Sequence, residues 1–347
     1  MKALQYVSVG QPPEVREIPT PEPGPGEVRL RITAAGACHS DSFVMGLSEA
    51  EYSAFGYPLP MTLGHEGVGI VDSLGEGTTG IEVGAAVAVY GPRGCGRCHS
   101  CAQGFENYCP HAAAMGITPP GLGGPGAMAE YLIVSDPRLL IPIGELDPVK
   151  SVALTDAGLT PYHAIKGSLD LLVPGSVAVV IGVGGLGHIA VQLLRSLTSA
   201  TVVALDISES KLDFAREVGA HHAFLSDSEA ARNIAEQVSA EPVTAIFDFV
   251  TNDAVMKLSA ELSGPRTDLV LVGAGSVSRE VGLLGQPYGS RIRAPYWGAR
   301  PELMEVIELA RTGHLEVETE QFSMDQAPEA YRKLHDGELR GRAVVVP

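Results

Sequence analysis

Long apolar runs are missing from this chain. None of its 347 residues falls in a stretch approaching the roughly 18–20 apolar residues that cross a bilayer. The best candidate, residues 177–183, is broken by Gly182. The first residues, Met1-Lys2-Ala3-Leu4-Gln5-Tyr6, lack the apolar core of a secretory signal. Basic residues are also scarce. There are 24 Lys and Arg against 41 Asp and Glu, a formal net charge of −17. With no basic cluster, nucleic acids and anionic membranes are poor partners, and the surface charge reads as solubility. Short-period repeats and low-complexity segments are absent. What remains is 45% hydrophobic, enough for large cores and against disorder. The length suits two domains.

Cysteine is sparse too, five in all, yet four stand together as Cys95, Cys98, Cys101 and Cys109. The spacing C-x2-C-x2-C-x7-C lets four thiolates converge on one tetrahedral zinc at about 2.3 Å each. Disulfides fit this spacing poorly, because two-residue spacers rarely reach the required geometry. The pattern reads as a closed structural zinc lobe at about 91–110. Thiols reserved for metal suit the cytoplasm.

The composition divides the chain. Residues 1–155 are rich in Gly, Pro and short alternating stretches. Val28-Arg29-Leu30-Arg31-Ile32-Thr33-Ala34 alternates apolar with polar, the mark of a half-buried strand. Further short strands are expected at 67–74, 85–90 and 129–134, which together suggest a barrel-like β domain. From Ser176 the pattern becomes alternating. The wholly apolar 177–181 reads as a strand buried on both faces. A helix with Ile189, Leu193 and Leu197 at spacing four follows it. Strands at 201–205, 223–225, 245–250 and 268–272 then alternate with helices at 208–218, 229–238 and 253–262. This is the signature of a doubly wound parallel sheet. The fold class is therefore α/β. With that sheet complete, residues 296–347, with a helix at 301–312 and an apolar strand at 343–346, are expected to return to the first domain. The dinucleotide domain is then 156–295.

Gly182-Val183-Gly184-Gly185-Leu186-Gly187 joins the first of those strands to its helix. The string is weak alone, but here it has both flanks, and Asp206 ends the next strand. Gly182 permits the tight turn, Gly184 lets backbone approach a pyrophosphate, and Gly187 lets helix pack on strand. Free N–H groups at the helix start would hold the phosphates. Asp206 would accept from the ribose hydroxyls and repel a 2′-phosphate, favouring NAD over NADP. Lys211 either reaches the same ribose or is a solvated helix lysine.

Two more segments hold metal-ligand residue types: Gly36-Ala37-Cys38-His39-Ser40-Asp41 and Gly64-His65-Glu66-Gly67-Val68-Gly69. Taken with the four-cysteine lobe and the glycine turn, they resemble the zinc-dependent alcohol dehydrogenases of the medium-chain dehydrogenase/reductase superfamily. The likeness covers essentially the whole chain. It is strongest to bacterial secondary-alcohol dehydrogenases, through Thr155-Asp156-Ala157-Gly158-Leu159-Thr160-Pro161-Tyr162-His163 and Pro295-Tyr296-Trp297-Gly298. Gly64-His65-Glu66-x-x-Gly69-x5-Gly75 resembles the family's zinc signature, with Thr78 where a small or aliphatic residue is usual. The likeness implies a GroES-like catalytic domain, a Rossmann NAD-binding domain and two zinc ions per chain, one catalytic and one structural.

The resemblance also assigns roles. Cys38 and His65 match the first two catalytic zinc ligands. Many relatives use a cysteine third; none is left here, and Asp156 stands at that position. The other reading of Asp156 is a helix N-cap before Ala157. Glu66 is implied just behind the metal, ligating at most when no substrate is bound. Ser40 matches the first hydroxyl of a proton relay, or else caps a turn. Phe43 replaces the relay's usual histidine, so the proton path would run through Ser40, ribose hydroxyls and water. His39 and Arg342 match pyrophosphate contacts, with Arg340 as the alternative to Arg342. Thr160 matches the residue backing the nicotinamide, and Val272-Gly273-Ala274 would offer backbone groups to its carboxamide. Phe43, Leu122, Tyr296 and Trp297 are implied as pocket wall, with Tyr52, Phe55 and Tyr57 nearby; any of these could instead be core. An aromatic wall with few polar groups suits apolar alcohols and ketones. The implied reaction is hydride exchange between secondary alcohols, with some primary ones, and NAD. Relatives are dimers or tetramers, so a homotetramer is expected. A polyol or amino-alcohol dehydrogenase on the same scaffold is the sister reading. A non-catalytic NAD-binding zinc protein is the reading from another class.

Overall fold

The computed structural model describes residues 1–278 and 282–347. The chain divides into two compact units. The first comprises Met1–Leu159, Ala299–Thr312 and Glu316–Pro347; the second comprises Thr160–Gly298 and Gly313–Leu315. The joins fall a few residues beyond the expected 155/156 and 295/296. The shift matters because it puts Asp156 in the first unit. The turn of 3-10 helix Val152–Thr155 is wholly buried there. Just after it, a Cβ on Gly158 would meet the Leu154 backbone at 2.9 Å and Val306 at 3.1 Å. That packing ties residues 156–158 to the first unit.

The first unit is organised around the ten-residue strand Val28–Ala37. Val28, Leu30, Ile32 and Ala34 are buried, while the intervening Arg29, Arg31 and Thr33 reach outward. Alternation stops at Ala35, Gly36 and Ala37, all buried. This end of the strand is covered on both faces, and small residues here leave room for side chains of the neighbouring strands. Glu66–Leu74 pairs antiparallel along one edge, with Gly36 opposite Glu66. The other edge is shared. Tyr131–Val134 pairs with residues 28–31, and Arg342–Val346 pairs with residues 35–37, Ala343 opposite Ala37. Ala86–Val89 and Leu140–Pro142 extend the sheet on one side, and Thr319–Ser323 closes it on the other. Cys38, Glu66 and Arg342 therefore lie at one end of one sheet.

The second unit holds a six-stranded parallel sheet. Its order is His222–Leu225, Thr201–Asp206, Val177–Ile181, Ala245–Asp248, Asp268–Leu271 and Arg291–Arg293. The chain reverses direction of winding between Val177–Ile181 and Ala245–Asp248, the place where such sheets bind ligands. Helix Gly187–Leu197 buries Ile189, Ala190, Val191, Leu193 and Leu194 against it.

The sheet is not complete at Leu271, as the hydrophobic pattern suggests. Arg291–Arg293 adds a sixth strand. Three residues, two of them arginine, carry no apolar signature. Arg291 and Arg293 instead bond the fully buried Asp268 at 3.2 and 2.8 Å. The return segment likewise contains more than one helix: strand Thr319–Ser323 and helix Ala327–His335 stand beside Arg300–Arg311.

Candidate metal and cofactor sites

Cys38 directly follows the central strand and is the N-cap residue of the short helix His39–Met45. His65 immediately precedes strand Glu66–Leu74. It follows Gly64, whose φ of +93° and close approach to Met128 (a Cβ would lie 2.6 Å from its side chain) require glycine. Asp156 follows the buried 3-10 turn, and its Oδ2 lies 3.3 Å from His65 Nε2 and 3.6 Å from Cys38 Sγ. Donors about 2.0–2.3 Å from a tetrahedral zinc stand roughly 3.3–3.8 Å apart. The three groups are thus spaced as ligands of one ion. All three are buried. Burial alone would lower the His65 pKa, but Asp41, Cys38 and Asp156 around it raise it well above the ordinary value. The negative charges that would hold a proton there equally suit a metal cation. Three protein donors leave the fourth position open, as in catalytic zinc sites.

Asp156 precedes helix Leu159–Lys166. The N–H of Ala157 is taken by Glu66 Oε1 at 3.1 Å, which leaves the Asp156 carboxylate facing Cys38 and His65. Glu66 is fully buried, and Arg342 binds both its oxygens. The carboxylate rests over Gly36, where a Cβ would lie 1.7 Å from Oε2. Engaged in this way, Glu66 stands outside the three-donor cluster.

Arg342 is engaged by the same cluster. Only 2% exposed, its guanidinium lies beside Glu66, with Asp156 Oδ2 at 3.8 Å. Burial works against its charge, but Cys38, Glu66 and Asp156 outweigh it and raise its pKa. The strand register opposite residues 35–37 places this arginine beside the acidic cluster. Arg340 is exposed and lies 3.8 Å from Glu318.

Asp41 has no role in the sequence reading. It is fully buried, and its Oδ1 accepts from His65 Nδ1 at 2.9 Å. A carboxylate behind a ligating histidine fixes its tautomer and ring angle. The available signal was local: Asp41 stands three residues after Cys38, at the start of a helix, where it accepts from the Cys38 N–H at 3.0 Å. Ser40 Oγ lies 3.8 Å from Cys38 Sγ.

Cys95, Cys98, Cys101 and Cys109 form the second cluster, and all of their sulfurs lie within 4.8 Å of one another. Sulfurs 2.3 Å from a tetrahedral zinc stand about 3.8 Å apart; Cys98 and Cys109 stand at 3.9 Å. Backbone N–H groups of Cys98 and Cys95 point at Cys95 and Cys109 sulfurs, both at 3.3 Å. Such bonds favour thiolates. Those from Arg97 and Cys98 bring the Cys95 pKa down to about 6. Gly94 is required here, since a Cβ would lie 2.5 Å from Cys101 Sγ.

The glycine turn of the second unit has the shape its spacing suggests. Gly182 has φ +91°, and a Cβ on Gly187 would lie 1.8 Å from Gly182 O. Gly184 has nothing within 4 Å of its Cβ position, so the surface above it is open to a ligand. Gly185 and Leu186 are partly exposed. Asp206 Oδ2 accepts from Val183 N at 2.8 Å and Oδ1 from Ser208 N at 3.1 Å. The carboxylate is thereby fixed beside the turn with lone pairs to spare. Lys211 is half-buried on the following helix, and Thr160 is buried. The Val272 and Gly273 N–H groups both bond Asp248 O. His39 is exposed in the first unit.

The aromatic residues divide. Tyr52 is 3% exposed, packs on Tyr6 and Tyr57, and donates to Pro58 O, so it fills core rather than lining a wall. Phe43 and Phe55 are about half exposed, with Phe55 stacked on Tyr57 at 5.3 Å. Leu122 is half-buried. In the second unit Tyr296 is exposed and Trp297 buried, their rings edge to face at 6.0 Å.

Comparison with known proteins shows the family. The alcohol dehydrogenase GroES-like domain family matches residues 24–145, and the zinc-binding dehydrogenase family matches residues 185–310. An NAD-dependent alcohol dehydrogenase of Sulfolobus acidocaldarius is 30% identical over 99% of both chains. The chain belongs to the zinc-dependent alcohol dehydrogenases of the medium-chain superfamily. The solved alcohol dehydrogenase of the archaeon Aeropyrum pernix superposes with a TM-score of 0.92 at 31% identity, covering 100% of each chain. Acetophenone reductase from Geotrichum candidum, solved with NAD, has a TM-score of 0.85 at 28% identity, covering 100% of this chain and 97% of that one. For an alcohol dehydrogenase, the Cys38–His65–Asp156 cluster fits a resident catalytic zinc and the four-cysteine lobe a structural one.

Proposed function

We propose that this zinc alcohol dehydrogenase uses NAD to interconvert secondary alcohols and ketones, with some primary alcohols. The observation that carries the reading is the convergence of Cys38, His65 and Asp156 at ligand spacing, with one position left for substrate. Zinc held there supplies a Lewis acid for the carbonyl or hydroxyl oxygen. Ser40 Oγ, beside Cys38 Sγ, takes the substrate proton. Phe43 has no group that could pass it on as a histidine would, so the onward path from Ser40 would depend on water. Gly182 to Gly187 hold the pyrophosphate, and Asp206 holds the ribose and selects NAD. Thr160 and residues 272–274 complete the cofactor contacts that the second unit offers. Phe43, Phe55, Tyr57 and Leu122 give the first unit an apolar lip suited to aliphatic and aryl substrates. The likeness to acetophenone reductase supports aryl ketones among them.

The chain works in the cytoplasm as a homotetramer. Free thiols in both clusters support the first point. The exposed Leu283, Leu284 and Tyr288 near the edge strand Arg291–Arg293 support self-association. No described helix is long and apolar enough to cross a membrane.

An NADH-absorbance screen tests the substrate reading. Aliphatic and aryl secondary alcohols should exceed primary alcohols in kcat/KM, and polyols should be poor. NADP should support little turnover. Preference for polyols would move the assignment to the sister class.

A further inference from the structure

The Asp41 carboxylate serves two metal ligands at once. Its Oδ1 takes the His65 Nδ1 hydrogen at 2.9 Å, and its Oδ2 takes the Cys38 N–H at 3.0 Å. A third donor reaches Oδ2 from far along the chain: the hydroxyl of Tyr331 at 2.9 Å. Tyr331 comes from helix Ala327–His335, which buries Ala327, Ala330, Tyr331 and Leu334. Asp41 is 0% exposed and Tyr331 5%. A carboxylate removed from water needs such donors, and losing one leaves the charge poorly solvated. The hydroxyl stays a donor, because burial and the Asp41 charge push its pKa far up.

The geometry points to Tyr331 as a positioning residue of the catalytic metal: its hydroxyl pins Asp41, and Asp41 holds the His65 ring and the Cys38 main chain in ligating register. The inference rests on the reading of Cys38, His65 and Asp156 as a zinc site. Without the hydroxyl, the carboxylate has two anchors, both of them on the groups it is meant to orient. It can then rotate with the imidazole instead of fixing it. Groups behind metal ligands typically change affinity about 10–100-fold.

The variant Tyr331→Phe removes the oxygen and keeps the ring. Zinc affinity at both sites is measured in the full-length chain by competition with a chromophoric chelator. The catalytic site is also read by the visible spectrum of its cobalt form. Affinity at the three-ligand site should fall about 10-fold or more and the cobalt bands should shift, while the four-cysteine site is unchanged. A lower thermal midpoint with unchanged affinity and spectrum would mean a structural role only and overturn the proposal. Should the variant fail to fold, proton NMR of the unmodified protein decides. The Tyr331 hydroxyl resonance should be protected from exchange and move when cadmium replaces catalytic zinc; an unmoved resonance refutes the coupling. A zinc content near one per chain in the unmodified protein would instead defeat the metal-site reading beneath it.

Discussion

Asp156 is the residue on which the chemistry turns. Its carboxylate is the hard member of a donor set that otherwise consists of a thiolate and an imidazole. Asp156→Asn keeps the shape but removes the charge, leaving Cys38 and the Glu66–Arg342 pair around a weaker site. We expect catalytic zinc content to drop below half and turnover to fall at least 100-fold, with structural zinc retained. Metal analysis alongside steady-state kinetics checks this. Intact metal and turnover would show that Asp156 does not ligate. At this scale much was legible in the sequence. Cysteine spacing marks the lobe, and the resemblance to zinc alcohol dehydrogenases puts Asp156 where many relatives carry a third cysteine. Asp41, Tyr331 and the inward turn of Arg342 were not legible. Their roles depend on partners 24 to 290 residues distant, and a buried arginine on an apolar strand looks the same in sequence as one facing solvent.

Among elements, the turn between strand Val177–Ile181 and helix Gly187–Leu197 separates packing from ligand approach. A methyl at position 187 collides with Gly182 O, whereas at 184 it meets nothing. Gly187→Ala should therefore destabilise by about 3 kcal/mol, the upper range for overpacking, and lower the thermal midpoint by roughly 6–12 °C for a chain segment of this size. Gly184→Ala should leave the midpoint within about 1 °C and weaken NADH binding, as fluorescence titration would show. If both variants melted alike, steric crowding would not distinguish the two glycines. Elements with a strong periodic signal, such as helix Asp253–Leu262, appear where the pattern places them. The strand Arg291–Arg293 and helix Ala327–His335 were not anticipated. The first is held by ion pairs to Asp268; the second buries Ala327, Ala330, Tyr331 and Leu334 at helical spacing, a signal that was in the sequence and was passed over.

For the whole molecule, two metal sites of different kind predict two-step metal loss. One has three protein donors and an open position, and the other is closed by four sulfurs. A chelator should first abolish activity while the fold persists. Removal of the second metal should come more slowly and lower stability, since structural zinc contributes to folding free energy. Far-ultraviolet circular dichroism beside activity follows both steps; a single step with simultaneous unfolding would contradict the assignment. The broad plan, a β-rich unit followed by a parallel sheet and a return, could be read from the hydrophobic rhythm. The joins could not, because Asp156 and Gly158 belong to the first unit through packing alone.

The return strand Arg342–Val346 and helix Ala327–His335 have a consequence for biosynthesis. A ribosome delivers Cys38, His65 and Asp156 long before Tyr331 and Arg342. A growing chain can thus capture a metal ion while the residues that orient its ligands are still unmade. Nascent enzyme would hold the ion loosely and exchange it readily, and tight retention would begin only when the final strand docks beside residues 35–37.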